Sequence, residues 1–129
     1  MRLPSTILVL VLALAPVASA APARSAADRQ SLLDLAFVLG RSHALRQACA
    51  GAGDQYWRTR MSGLLTAEAP EPAFGERMKQ AFNTGFVGTQ ATFPRCTARV
   101  AREAAAAAAR GRALAASLTG PVAEDDPSR

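Results

Sequence analysis

Two cysteines, Cys49 and Cys96, are the only ones in the chain, and they constrain it more than any other feature. Each falls at a break between two helical patterns. Before Cys49 runs an apolar repeat of helical period, and after it comes Ala50-Gly51-Ala52-Gly53, which ends a helix and turns the chain. Cys96 follows Pro94, which stops another. If both junctions lie at one end of the molecule, the two thiols can meet and form a bridge. Two free thiols are the alternative.

The bridge needs an oxidising compartment, and the first residues supply the expectation of one. Arg2 gives a positive start, Ile7–Leu14 a short apolar core, and Ala18-Ser19-Ala20 a small-residue cleavage site. A signal peptide over 1–20, cleaved after Ala20, is therefore expected, with an uncleaved anchor as the alternative. The apolar run is shorter than the roughly 20 residues of a membrane span. The remaining chain is expected in the periplasm or secreted, without stable membrane insertion. No cysteine follows the cleavage site at once, so no lipid anchor is expected.

Four helices are predicted. Residues 21–27 are small and Pro-containing, and are expected to be flexible. Helix one runs from Asp28 to about Cys49, with Leu32, Leu35, Ala36, Leu39, His43 and Arg46 on one stripe. Gly40 lies off that stripe. Asp54 is placed to cap helix two, in which Trp57, Met61, Leu64 and Leu65 share a side; Pro70 and Pro72 break it. Helix three, from Pro72 to Phe93, carries the strongest stripe: Phe74, Met78, Phe82, Phe86 and Phe93. Gly85 and Gly88 leave room there for a close neighbour. Helix four, capped by Thr97, presents Val100, Ala104, Ala107, Gly111, Leu114 and Leu118. Residues 120–129, with Glu124-Asp125-Asp126, read as a disordered acidic tail. The fold class is all-α: a small antiparallel four-helix bundle over 28–119, stapled by one disulfide. In an up-down-up-down path, the first and third junctions share an end, as the bridge requires.

The stretch Leu39–Arg60 concentrates the chemistry, with the only His, the only Trp and the only Tyr. Four pieces resemble a small secreted family of alphaproteobacteria known only as a domain of unknown function. They are L-G-x-S-H-x-L-R-x-x-C ending at Cys49, D-Q-Y-W-R-x-R-M from Asp54, F-N-x-G-F from Phe82 and P-R-C-T from Pro94. The resemblance spans Leu33 to Leu118. It implies a periplasmic protein with both cysteines in the shared framework, and it brings no activity.

The residues present exclude several chemistries. One His rules out a His-rich metal site, and neither HExxH nor ExxH spacing occurs. There is no C-x-x-C pair for redox work. Gly51-Ala52-Gly53 follows a helix rather than a strand, unlike a phosphate loop. Ser42 adjoins His43 in sequence but not across a helical surface. No spacing pairs the carboxylates for glycoside cleavage. Neither metal nor cofactor is expected, and no enzyme. The chain is basic, with 15 Lys plus Arg against 10 Asp plus Glu. Its arginines are scattered and not interleaved with aromatics, so nucleic acid is not an expected partner.

A polar cluster of His43, Arg46, Asp54, Tyr56, Trp57 and Glu103 is expected near the bridge. Arg46, on the core-facing stripe, would be buried and paired with Glu103, or else with Asp54. His43 would hydrogen-bond across helices. The cluster is either a structural network or a pocket rimmed by Tyr56 and Trp57 for a peptide, glycan or anionic group. The leading functional expectation is a non-enzymatic interaction or accessory module serving an envelope protein or a peptidoglycan-associated partner. A periplasmic stress chaperone and a cell-wall hydrolase are the alternatives.

Overall fold

The computed structural model describes residues 23–119 as four α-helices: α1 Ala26–Ala50, α2 Tyr56–Glu68, α3 Pro72–Thr92 and α4 Ala98–Thr119. The expected signal peptide and acidic tail lie outside the described residues. Four helix boundaries have a plain local cause. The Ser25 hydroxyl accepts the Asp28 amide at 3.1 Å, which starts α1 two residues before the expected Asp28. Gly51 ends α1 at φ 98°, donating its N–H to the Gln47 carbonyl. This positive φ explains why glycine stands there. Pro72 opens α3 at its first turn. The Thr97 hydroxyl accepts the Val100 amide at 3.3 Å and caps α4 as expected.

Residues 24–25, expected to be loose, are tied down. The Arg24 guanidinium donates to both Glu68 oxygens at 2.8 and 3.0 Å and to the Leu118 carbonyl at 2.9 Å. One side chain thereby joins the start of α1 to the ends of α2 and α4.

The helices form an up-down-up-down bundle in which α1 is the hub. All the extensive helix contacts run from α1 to α2, α3 and α4, and those three barely touch one another. This corrects the single-stripe reading of α1. Val38, Gly40, Ser42, Ala44 and Leu45 are buried along with Leu32, Leu35, Ala36, Leu39 and His43. A helix surrounded by neighbours must be apolar on more than one side, and residues 32–45 hold only two charges, Asp34 and Arg41. The other helices bury one stripe each. In α3 it is Phe74, Met78 and Phe82 with Gly75, Gly85 and Thr89, and in α4 it is Val100, Ala107, Leu114 and Leu118.

Gly40 marks the tightest crossing. A Cβ added there would strike the Phe82 carbonyl, and one added at Gly85 would strike the Phe37 carbonyl. The two helices run backbone against backbone, so Gly40 lies inside the interface and not beside it. Gly88, expected to help, meets nothing. The far end is closed by the Cys49–Cys96 disulfide, with Cα atoms 4.6 Å apart. Both helix junctions do share one end.

Candidate functional site

The expected cluster divides into three places. The first is the α1–α2 turn. Arg46 Nε donates to both Asp54 oxygens at 2.8 and 2.9 Å. Asp54 also accepts the Tyr56 amide at 3.1 Å, while Gln55 holds the cap position without a side-chain bond. Burial pulls the Asp54 carboxyl up, but the Tyr56 amide and the Arg46 guanidinium outweigh it and hold it below the ordinary value. Gln47 closes the turn by donating to the Ala52 and Asp54 carbonyls. The expectation of a buried Arg46 fails, since its side chain is 47% exposed. Its partner is Asp54 and not Glu103. The turn at Gly51 returns the chain beside the last turn of α1, so the carboxylate nearest in sequence arrives first.

Glu103 lies elsewhere. The antiparallel pairing of α1 and α4 sets it level with Arg41, which it meets at 3.3 Å. Arg41 Nε has no hydrogen-bond partner.

His43 forms the third place. It is 1% exposed, with Phe82 and Phe86 ring centroids at 5.8 and 5.1 Å. It makes no hydrogen bond across helices: Nε2 lies 3.3 Å from the Gln47 amide nitrogen of its own helix, and Nδ1 is unpartnered. Burial, then the Arg58 charge, push its pKa below the ordinary histidine value, with Asp54 opposing. A neutral imidazole packed between phenylalanines is a core residue.

Tyr56 and Trp57, offered as the rim of a pocket, border a longer and largely apolar groove. Because α2 and α4 both lie on α1 without packing together, a trough remains between them. It holds two adjoining cavities of about 370 and 430 Å³ that share Ser42 and Trp57. Leu35, Val38 and Leu39 make the floor of the first, Trp57 and Leu64 one wall, and Ala107, Ala108, Gly111 and Ala115 the other. The second runs toward the disulfide past Cys49 and Ala101. From Ala101 to Ala115, at 1.5 Å per residue, the trough is roughly 21 Å long. The signal was present: the small residues of α4 sit where a bundle helix ordinarily carries large ones, and they leave the space unfilled.

The rim is aromatic and cationic. Tyr56 is 44% exposed, packs edge-on against Trp57 at 5.0 Å, and lies between the Arg46 and Arg60 guanidiniums at 4.8 and 5.1 Å from its ring. Arg112 faces Arg60 from the α4 wall. Among the described residues, every side-chain carboxylate except Asp28 is in an ion pair, and none pairs with Arg60 or Arg112. No group of three or more His, Cys, Asp or Glu that could hold a metal occurs among them either.

Hub helix, staple and open trough define a small disulfide-closed helical domain with a concave surface along one side. The chain belongs to the family described as protein of unknown function (DUF2385), whose model matches residues 28–120. No curated protein and no solved structure matches it. No helix of the described residues is long and apolar enough to cross a membrane.

Proposed function

We propose that this chain is an exported, non-enzymatic binding module of the cell envelope that receives a partner in the trough between α2 and α4. The observation that carries this reading is the trough's make-up: an apolar floor beside Trp57, Tyr56 and Arg60. Trp, Tyr and Arg are the residues that dominate binding energy at interfaces when they border a desolvated centre. Export is supported by the leader-like residues 1–20 and by a disulfide, which persists in oxidising compartments.

The test is a comparison of two baits in envelope extract. Ala108 lines the α4 wall and is only partly buried, so Ala108→Phe fills the trough without entering the core. A partner retained by the native chain and lost by Ala108→Phe supports the reading. Identical retention by both, with the variant folded by circular dichroism, refutes it.

A further inference from the structure

We infer that the occupant of this trough is an acidic amphipathic helix presented by another protein, an inference that rests on the trough being the binding surface. The shape argues for a helix. Neighbouring helices pack with axes about 8–10 Å apart, nearest where the facing residues are small. The α4 wall offers Ala107, Ala108, Gly111 and Ala115, and a trough of roughly 21 Å accommodates about 14 helical residues. The trough is open along its length, which suits a groove-bound helix with one face left in water.

A second observation points the same way. Ser42 is 4% exposed, lines both cavities, and makes no hydrogen bond among the described residues. Its hydroxyl opens onto the trough floor, where a polar group of an occupant can reach it. A polar side chain on the incoming helix would satisfy it.

Charge selects the kind of helix. Arg60 and Arg112 stand on opposite walls, and no carboxylate among the described residues pairs with either. An apolar stripe flanked on both sides by Glu or Asp would meet them, and a Lys-flanked stripe would be repelled. The same balance disfavours a second copy of this basic chain.

Trp57 is the only tryptophan and lies where the two cavities meet, so its fluorescence reports occupancy directly. The disulfide-intact chain is titrated with two synthetic helical peptides sharing a Leu/Ala stripe, one flanked by Glu and one by Lys. The Glu peptide should saturate the Trp57 signal, and the Lys peptide should bind at least about tenfold more weakly. Arg60→Ala with Arg112→Ala should weaken the Glu peptide about tenfold, and added salt should do likewise. Both arginines are exposed, so the variant is expected to fold. Equal binding of the two peptides, or no saturation by about 1 mM, would overturn the inference. So would a Trp57 response, lost in Ala108→Phe, to an acyl carboxylate such as oleate and not to the Glu peptide. That result would leave the trough as the binding surface. A native-chain dimer dissolved by Ala108→Phe would overturn the inference too. So would a Trp57 shift on truncation after Thr119 opposite in sign to that given by the peptide and reversed when the peptide is added, since the chain's own acidic residues 124–126 would then be the occupant.

Discussion

His43 shows how a single residue's surroundings set its pH behaviour. Its folded pKa lies below the ordinary value, with burial the first cause and Arg58 the second. Well above the ordinary histidine pKa of about 6.5 the imidazole is neutral in both states and contributes nothing to pH dependence. Below it, the unfolded chain binds a proton that the folded chain resists, so stability falls as pH drops toward the folded pKa. Asp54 and Glu71, held low by their partners, add losses only near and below the ordinary carboxylate range, about pH 4. Urea midpoints from pH 7.5 to 5.0 should therefore decline in the native chain and decline less in His43→Phe. A flat profile in the native chain would contradict the burial of His43. Arg46 gives the opposite lesson. An exposed pair contributes little, so Arg46→Ala should move the thermal midpoint only slightly. A loss comparable to removal of the bridge would mean the pair is buried after all.

At the scale of the elements, glycine position decides the sign of a substitution. Gly40 and Gly85 allow α1 and α3 to touch backbone to backbone, and a methyl group at either would meet a carbonyl that cannot swing aside. Gly40→Ala should destabilise by about 3 kcal/mol, the upper part of the range for overpacking. Gly63 lies mid-helix in α2 with nothing within 4 Å of an added Cβ. Gly63→Ala should stabilise by about 0.5–1 kcal/mol through helix propensity alone. Chemical denaturation of the two variants checks both signs. The four helices and their ends were legible in the sequence because Gly51, Pro72, Pro94 and Thr97 act locally. The stripes of α3 and α4 were legible because each faces one neighbour. The role of α1 was not, since a stripe count assumes one buried side, and Val38, Ser42 and Leu45 belong to the others. Arg46 was misplaced for a related reason. Angular position puts it on the stripe, but the stripe runs out at the last turn, where α1 passes into solvent and Gly51 brings Asp54 within reach. The small residues of α4 signalled the trough only ambiguously, since they suit close packing as well as open space, and the separation of α2 from α4, which decides between the two, is set by how each packs on α1.

For the whole molecule, Arg24 clasps one end and the disulfide closes the other. The bridge joins residues 47 apart in sequence, and chain entropy gives such a loop about 4 kcal/mol. A domain of this size holds only about 5–15 kcal/mol in total. Cys49→Ser should therefore bring the thermal midpoint down sharply, and reduction of the native chain should do the same; an unmoved midpoint would show that the staple is dispensable. The same architecture explains why the trough stays open. α2 and α4 are each fastened to α1, through Arg46–Asp54 in the turn before α2 and through Arg41–Glu103, and Arg24 links their far ends. Nothing draws them together over Trp57.

The trough as binding surface is the central claim, and site-specific photo-crosslinking in cells tests it most directly. A photoreactive residue placed at Ala108, on the trough wall, is compared with one at Val87, which is 61% exposed on α3. The account predicts a discrete crosslinked partner from position 108 and none from position 87. The same partner from both positions, or one from 87 alone, would contradict it.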